Sequence, residues 1–409
     1  MKKQLLLLLV GAFGCLFTAV YPLSAQTWVL TSAPAKEWTS IACSADGSKL
    51  VATIHVGGIY TSANSGATWT QTSAPTKEWT SIACSADGSK LVATIHVGGI
   101  YTSTNSGATW ETNAANAYWT CVASSADGTK LAAVSQVGGG VYISTNSGAT
   151  WNDRSGGMVF PALPMFDSLY GFAVCMSADG TKLVVAENIY DIEILNFDYG
   201  LIYTSTNLGA TWNAGYESGS SEYWSSVACS ADGSRLVAAA NGGGIYTSTN
   251  SGAAWTLTGA PSLKWHSIAS SADGSKLVAA ATNSIHSIYT STDSGATWTQ
   301  ATNGPSGAVY TSVASSADGS KLVAAVNGGG IYTSQTTPAP VLNIARSSSN
   351  FAFSWVMPST NFVLQRSSNL GTANWTGVTN TPTLNLTNLQ NQVALPLPAG
   401  NAFYRLKTP

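Results

Sequence analysis

The chain has 409 residues, of which 44% are hydrophobic and 9% are charged, and its formal net charge is −2. A disordered chain combines low hydrophobicity with many charges, so this composition requires a buried core. Proteins that bind nucleic acid present a strongly basic surface, and the nearly neutral charge therefore excludes nucleic acid as the expected partner.

The first 25 residues have the composition of an export signal. Lys2 and Lys3 precede an apolar run over residues 5–20, and Ala25 is the small residue expected before a cleavage site. No stop-transfer pattern follows this run, so we expect cleavage rather than a membrane span. The mature protein is accordingly predicted to be periplasmic or extracellular, and not membrane-spanning.

Residues 26–335 are built from an internal repeat. Residues 31–69 and 72–110 differ at only two aligned positions, which sets a period of 41 residues. The motif Ser-Ala-Asp-Gly marks every copy, and its Asp-Gly pair predicts a tight turn between two strands. Seven units, numbered one to seven in chain order, are identified by the aspartates of these turns: Asp46, Asp87, Asp127, Asp179, Asp232, Asp273 and Asp318.

Each unit contains four short segments with the alternation and β-branched residues typical of strands. Four strands repeated at about 40 residues predict a β-propeller. Unit seven ends after its third segment, whereas the segment that begins at Trp28 matches the fourth segment of the other units. We therefore expect an all-β fold, a seven-bladed β-propeller closed by an N-terminal strand, and we expect a monomer.

A second motif, Ser-x-Asn/Asp-x-Gly-x-x-Trp, joins the third and fourth segments of six units. It resembles the Asp-box, or BNR repeat, of sialidases and other exported propellers. A short polar side chain at its third position can hydrogen-bond the backbone of its own turn, and the glycine suits a conformation that a side chain would penalise. The resemblance implies a structural role on the face opposite the family's active site. The polar residues at the third position are Asn64, Asn105, Asn146, Asn207, Asn250 and Asp293.

Length variation between units is confined to the face of the predicted propeller that lies opposite the Asp-Gly turns and the Asp-box-like motifs. Three segments around unit four are expanded, residues 152–170, 187–200 and 213–223. Residues 152–223 contain nine acidic side chains against two basic ones, and the expanded segments add several aromatic residues. Acidic and aromatic side chains on one rim suit a sugar or a cation. The residues predicted to bind a ligand are Arg154, Tyr170, Glu187, Tyr190, Asp191, Glu193, Asp198, Tyr199, Glu217 and Glu222.

Three interpretations of this rim stay open: variable solvated loops, a groove for a glycan or protein, or a glycoside hydrolase with two carboxylates. Sialidases grip their sugar with three arginines, and this propeller has only Arg154 and Arg235, so sialidase activity is not expected. The exported assembly factors of photosystem II, which are seven-bladed and non-catalytic, resemble the chain at the level of the repeat. The carboxylates that could form a hydrolase pair are Asp153, Asp167, Asp191 and Asp198.

We expect no cofactor and no metal site. The four histidines lie in turns or beside a strand tryptophan, without the convergence of three or four ligands that zinc needs. The chain has no phosphate-binding loop and no dinucleotide fingerprint. The cysteines of the repeats occupy positions where sister units carry other small residues, which favours small buried side chains over a disulfide framework.

The segment after the repeats has a different composition. Residues 336–341 form a proline-rich linker. Residues 342–409 resemble a small fibronectin type III-like β-sandwich module, with Trp355 in a core strand and Phe362, Leu364 and Tyr404 as its partners. The sequence as a whole predicts an exported, non-catalytic propeller that binds a glycan or a protein through the acidic rim near unit four, with a glycoside hydrolase as the alternative.

Overall fold

The fold is all-β, as the sequence predicts. In the part of the chain that the computed structural model describes, every regular element is a β-strand, and no helix there is long and apolar enough to cross a membrane. The described residues are 8–9, 28–113, 117–136, 140–158, 173–190, 198–217, 223–282, 288–301, 304, 307–335, 342–346, 349–356, 363–368, 375–385, 390–398 and 402–407.

Each repeat unit forms an antiparallel sheet of four strands joined by short turns. In unit one Trp38 of the first strand lies opposite Ile54 of the second, and Thr61 of the third lies opposite Thr70 of the fourth. The second strand is buried along its whole length and is apolar apart from one threonine, whereas the fourth strand is exposed and polar. The sheet is therefore buried at its inner strands and solvated at its outer edge.

The strands are numbered in chain order. Units one to six comprise β3–β6, β7–β10, β11–β14, β15–β18, β19–β22 and β23–β26, and unit seven contributes β27–β29. The bounds are β1 Leu8–Leu9, β2 Trp28–Leu30, β3 Lys36–Cys43, β4 Leu50–Ile54, β5 Ile59–Ser62, β6 Thr70–Gln71, β7 Trp79–Cys84, β8 Leu91–Ile95, β9 Ile100–Ser103, β10 Glu111–Thr112, β11 Trp119–Ser124, β12 Leu131–Ser135, β13 Gly140–Ser144, β14 Asn152–Asp153, β15 Ala173–Met176, β16 Leu183–Tyr190, β17 Asp198–Ser205, β18 Asn213–Glu217, β19 Trp224–Cys229, β20 Leu236–Gly243, β21 Ile245–Ser248, β22 Thr256–Leu257, β23 Leu263–Ser270, β24 Leu277–Thr282, β25 Ile288–Ser291, β26 Thr299–Gln300, β27 Tyr310–Ser315, β28 Lys321–Gly329 and β29 Ile331–Gln335.

Consecutive units pack against each other through apolar side chains of their inner strands. In six units an aromatic ring on the first strand is among the largest fully buried side chains of the described residues. In five units a tyrosine of the third strand meets this ring edge-on, with centroids 5.0 to 5.5 Å apart. The buried first-strand rings are Trp38, Trp79, Trp119, Trp224, Trp265 and Tyr310.

The Ser-Ala-Asp-Gly turns link neighbouring units directly. The backbone N–H of Ala45 in unit one donates to the carbonyl of Ala86 in unit two at 2.7 Å, and each following turn repeats the bond. The last bond returns to the start, because Ala317 of unit seven donates to Ala45 at 2.8 Å. The turns thus form a closed cycle of backbone hydrogen bonds, in the order Ala45, Ala86, Ala126, Ala178, Ala231, Ala272 and Ala317.

The N-terminal strand β2 joins unit seven as its fourth strand. Trp28 lies opposite Ser334 and Leu30 opposite Tyr332 of β29, which is the pairing expected from the match between this segment and the fourth strands of other units. Without β2, the third strand of unit seven would present unpaired N–H and C=O groups. The pairing therefore joins the two ends of the repeat region.

The strands after residue 341 lie in two sheets, with the orders β30-β31-β35-β34 and β36-β32-β33. The short strand β1, from residues 8–9, pairs with β36 at the edge of the second sheet. Trp355, Leu364 and Tyr404 lie in one buried apolar cluster with Phe353, where the sequence predicts them, and Phe362 lies outside the described residues. The bounds of these strands are β30 Asn343–Arg346, β31 Asn350–Val356, β32 Val363–Ser367, β33 Thr376–Gly377, β34 Thr383–Asn385, β35 Gln390–Pro396 and β36 Phe403–Lys407.

Removal of β2 should destabilise the fold. A chain that begins at Ser32 lacks Trp28, which packs in the apolar cluster of unit seven, and it leaves β29 with an open edge. We expect a lower melting temperature by circular dichroism and concentration-dependent association by size-exclusion chromatography, relative to a chain that begins at Gln26. Equal melting temperatures would show that β2 contributes nothing to the repeat region.

Candidate functional site

The six Asp-box-like turns use their polar side chains internally. In unit one, Asn64 Oδ1 accepts the backbone N–H of Thr68 at 2.8 Å, and Ser62 Oγ accepts that of Gly66 at 2.9 Å. Ser65 and Gly66 both have positive φ, 55° and 89°, so the turn is tight enough to favour glycine at its centre. The polar side chain makes the same bond in the other turns, at Asn105, Asn146, Asn207, Asn250 and Asp293.

The aspartates of the Ser-Ala-Asp-Gly turns are occupied in the same way. Asp46 Oδ1 accepts Ser44 Oγ at 2.5 Å and the Ser48 backbone N–H at 2.9 Å. Burial raises the pKa of Asp46, but these hydrogen bonds and the charge of Lys321 outweigh it, so its pKa lies below the ordinary value. All seven of these carboxylates accept a serine hydroxyl within their own turn. They therefore hold the turns and are not available for catalysis.

Narrow cavities lie between neighbouring units on the face that contains the Asp-box-like and Ser-Ala-Asp-Gly turns. The cavity between units one and two has a volume of about 100 Å³ and is lined by residues that include Lys49, Ser62 and Cys84. Its counterpart between units seven and one measures about 40 Å³. Ligand sites for small molecules typically need roughly 300 Å³ or more. These cavities are too small for a sugar chain or a peptide.

Unit four departs from its sisters through longer third and fourth strands. β17 and β18 have eight and five residues, whereas the third strands of the other units have four or five residues and their fourth strands two or three. The pairing of β16 with β17 runs from Leu183 opposite Ser205 to Tyr190 opposite Asp198. Much of the expansion predicted as loop is therefore added to the sheet.

The predicted site residues are distributed between this sheet and segments that the structure does not describe. The extended strands contain the backbones of Tyr190, Asp198, Tyr199 and Glu217. Outside the described residues lie Asp167, Tyr170, Asp191, Glu193 and Glu222. Their roles in binding stay predictions. The same holds for a hydrolase pair, for which Asp167, Asp191 and Asp198 are three of the four candidates.

Asp153 and Arg154 lie at the end of the outer strand of unit three. Asp153 Oδ1 accepts the backbone N–H of Ser155 at 2.8 Å and also its hydroxyl. The carbonyl of Arg154 accepts Nε1–H of Trp212 at 2.7 Å, and its side chain passes over Gly209, where an added Cβ would lie 3.1 Å from the Cβ of Arg154. Arg154 thus joins unit three to the turn of unit four, whereas Asp153 holds its own turn, and the exposed ends of both stay candidates for ligand contact.

Glu187 lies in β16 with 0% of its surface exposed, and not on an open rim. It is opposite Leu201, on the same face of the sheet as Val185, which packs in the apolar cluster between units three and four. Neither carboxylate oxygen has a hydrogen-bond partner in the described part of the chain. Burial raises the pKa of Glu187 to about 8, so this carboxyl is largely protonated near neutral pH.

The adjacent Asn188 has a role that the sequence did not indicate. Its Oδ1 accepts the backbone N–H of Trp224 at 2.7 Å, and its Nδ2 donates to the Trp224 carbonyl at 2.8 Å. Between units one and two, the corresponding N–H of Trp79 is bound by the backbone carbonyl of His55. Asn188 therefore anchors β16 to unit five. Asparagine occurs at the same position in units five and seven, so the residue type carries no signal for this role.

Metal ligands do not converge in the described ranges. There, no group of three or more His, Cys, Asp or Glu side chains could hold a metal ion. The five cysteines of the described repeats, Cys43, Cys84, Cys121, Cys175 and Cys229, are free thiols. Burial raises the pKa of Cys84 to about 12, so this thiol is not a thiolate nucleophile at neutral pH.

Four-stranded sheets arranged in a closed cycle define a β-propeller, and solved structures agree with this class. The chain is similar to YCF48 from Cyanidioschyzon merolae, with 15% identity, a TM-score of 0.56, and coverage of 76% of this chain and 98% of that chain. A structure of YCF48 bound to D1 peptide has 14% identity, a TM-score of 0.54 and coverage of 77% and 96%. The Cps50 (Swd1) β-propeller domain of Myceliophteria thermophila has 14% identity, a TM-score of 0.57 and coverage of 76% and 100%.

At these identities the likeness shows the fold alone. No protein-family model matches the chain, and no curated protein matches it. The resemblances of the turns to the Asp-box and of the C-terminal segment to fibronectin type III modules therefore stay predictions from the sequence.

Replacement of Glu187 by glutamine should change the pH dependence of stability. Below about pH 4.5, the ordinary pKa of a glutamate carboxyl, Glu187 is protonated in both the folded and the unfolded states. Between pH 4.5 and about 8 the carboxyl ionises only in the unfolded state. The free energy of unfolding of the wild type therefore falls as pH rises through this range. Glutamine does not titrate. We expect Glu187→Gln to match the wild type at pH 4 and to exceed its free energy of unfolding by about 3 kcal/mol at pH 7.

Urea denaturation at pH 4, 7 and 8.5 measures this difference. Glu78→Gln is the matched control, because Glu78 is an exposed glutamate of unit two. The free energy of unfolding of this variant should equal that of the wild type at each of the three pH values. A constant difference between Glu187→Gln and the wild type across the three values would contradict a protonated, buried carboxyl.

Proposed function

We propose that this protein is an exported, non-catalytic seven-bladed β-propeller that serves as a binding scaffold for a glycan or a protein. Residues 1–25 are the cleaved signal peptide, residues 26–335 the propeller, residues 336–341 a linker and residues 342–409 a fibronectin type III-like sandwich module. The mature protein is a periplasmic or extracellular monomer.

The closed cycle of seven alanine hydrogen bonds supports the blade count. Each bond joins the turn of one four-stranded unit to the turn of the next, and β2 supplies the fourth strand of unit seven. Closure of this kind removes the exposed sheet edges that otherwise promote aggregation.

The observation that carries the binding site is the departure of unit four from its sisters. The polar side chains of the Asp-box-like and Ser-Ala-Asp-Gly turns form hydrogen bonds within those turns. The sheet of unit four is lengthened at the opposite end of its strands. Acidic and aromatic residues are concentrated in the same expansions. Variable segments on a rigid scaffold are where binding residues are usually found.

The ligand class is supported by chemistry and by one structural neighbour. Aromatic faces and carboxylates suit sugars, and they also suit peptides with basic side chains. YCF48, which shares the propeller fold, has been solved with a bound D1 peptide. We therefore place an exported protein beside a glycan as the candidate partner. A glycoside hydrolase with a carboxylate pair in the same segments is the alternative.

An exchange of the unit-four expansion tests the proposal. The mature chain, residues 26–409, is incubated with panels of polysaccharides, sialosides and immobilised peptides, and both retained protein and released sugar are scored. In the test variant, residues 240–244 of unit five replace residues 187–201; in the matched control, they replace residues 54–58 of unit one. We expect retention by the wild type and by the control, and at least tenfold weaker retention by the test variant.

Other outcomes of this experiment would replace the proposal. New reducing ends that disappear in Asp191→Asn or Asp198→Asn would make the protein a glycoside hydrolase. Equal retention of the two exchange variants would move the site away from unit four. If no member of the panels retains the wild type, the result would count against a binding scaffold for these ligand classes.

A further inference from the structure

The first strands of neighbouring units are linked by a side chain as well as by the turns. In five units a serine of the first strand accepts a backbone N–H of the next unit, as Ser40 Oγ accepts that of Ile82 at 3.2 Å. In unit four the residue at this position is Ala173, which has no hydroxyl. Unit four therefore lacks this link to unit five. The other serines are Ser81, Ser226, Ser267 and Ser312.

Two residues further along the first strand, the side chain packs into the junction with the next unit. In the junction of units one and two, Ala42 packs against the same apolar cluster as Cys84 of unit two. The same two positions meet between units seven and one, where Ala314 and Cys43 share a cluster. The cysteines of units one and two thus lie beside an alanine. The alanines at this position are Ala42, Ala83, Ala123, Ala228, Ala269 and Ala314.

In the junction of units four and five, both positions hold cysteine. Cys175 lies in the buried apolar cluster of this junction, and Cys229 packs against the same cluster. Burial raises the pKa of Cys175, and so does hydrogen bonding with the Cys229 thiol, which places the two sulfur atoms next to each other. No other junction has cysteine at both positions. The structure holds both residues as free thiols.

The register of the two first strands also brings these cysteines together. The N–H of Ala178, three residues after Cys175, donates at 2.7 Å to the carbonyl of Ala231, two residues after Cys229. On the other side, the serine link of the sister junctions joins the positions two residues before each cysteine. A disulfide needs Cα atoms roughly 4.4 to 6.8 Å apart. Strands joined by a direct hydrogen bond or by one short side chain approach each other this closely.

We propose that Cys175 and Cys229 are joined by a disulfide bond in the exported protein, which links unit four covalently to unit five. This inference rests on the exported location in the proposed function, because disulfides persist in oxidising compartments. The bond replaces the link that Ala173 cannot make. It also closes residues 175–229 into one loop, which contains two of the three expansions of unit four, and so restricts the unfolded chain.

The bond forms by thiol–disulfide exchange with a disulfide oxidant, such as glutathione disulfide or the active-site disulfide of an exported thiol oxidase. The S–H bonds of Cys175 and Cys229 break and one S–S bond forms between them. The two electrons and two protons convert the oxidant into two thiols. A thiolate is the attacking species, and Cys175 is buried with a raised pKa. The exchange is therefore slow in the folded protein and faster while the chain folds.

Refolding of the reduced, unfolded mature chain in a glutathione redox buffer tests the pair. The refolded protein is unfolded again, its free thiols are alkylated, and trypsin is added. Trypsin separates Cys175, on residues 155–182, from Cys229, on residues 183–235. We expect mass spectrometry to find these two peptides joined until a reductant is added, and the other three cysteines of the mature chain to be alkylated.

Two other results of the peptide analysis would overturn the proposal. One is the alkylation of all five cysteines after refolding with glutathione disulfide. The other is a bond between Cys175 and Cys121, which also lies near Cys175 and influences its pKa. Trypsin places Cys121 on residues 91–130, so the two bonds give joined peptides of different mass.

Variants distinguish the bond from the packing of the two side chains. Cys175→Ala has the residue of the six other units, and Cys229→Ser has that of units three, six and seven. Each variant should fold and should give no joined peptides. The matched control is Cys84→Ser, because Cys84 shares its cluster with an alanine. This control should form the bond as the wild type does.

Thermal melting followed by circular dichroism, with and without a reductant, measures the contribution of the bond. We expect reduction to lower the melting temperature of the wild type and of Cys84→Ser by roughly 5 °C. The melting temperatures of Cys175→Ala and Cys229→Ser should not change, because these variants have no pair to reduce. An equal decrease in Cys175→Ala would overturn the assignment of the bond to this pair.

Fractionation of cells that make the full chain separates this inference from the proposed function. A chain found outside the cytoplasm with all its thiols free would overturn the disulfide and leave the exported scaffold standing. A chain confined to the cytoplasm, whose purified mature form makes the bond on refolding, would overturn export and support the pairing of the two thiols.

Discussion

The backbone hydrogen bond between the alanines of neighbouring Ser-Ala-Asp-Gly turns is the contact on which the repeat region depends. Each bond is 2.7 to 2.8 Å long, and together they form a closed cycle. The approach needs the glycine of the turn, since a Cβ at Gly47 would lie 2.9 Å from the Lys321 side chain of the preceding unit. The aspartate holds the turn through its serine partners. A single four-residue motif therefore both ends a strand and joins two units.

This constraint decides where the units can differ. The turns of the cycle fix one end of every first and second strand, so added residues are accommodated at the other end of the sheet. Unit four shows the result, because β17 and β18 are longer there while Ser177 and Asp179 make the usual bonds of the turn. The polar groups of the motifs are engaged within their own turns, and the added residues of unit four lie at the opposite end of its strands.

Glu187 illustrates how a repeat scaffold tolerates a costly residue. In six units a first-strand aromatic ring packs in the apolar cluster shared with the preceding unit, whereas Glu187 is buried beside the cluster between units three and four. Asn188 restores a link to unit five with its side chain where another unit uses a backbone carbonyl.

The sequence by itself determined the all-β class, the repeat with its four strands, the pairing of Trp28 with the last unit and the local role of Asn64, because these follow from periodicity and from turns a few residues long. It identified unit four as the exceptional unit but treated Glu187 as an acid of an exposed rim. Only the tertiary structure decided that this carboxyl is buried at the junction of two units and that Asn188 anchors its strand. Burial there depends on strand register and on packing between residues far apart in the chain, and composition does not encode either one.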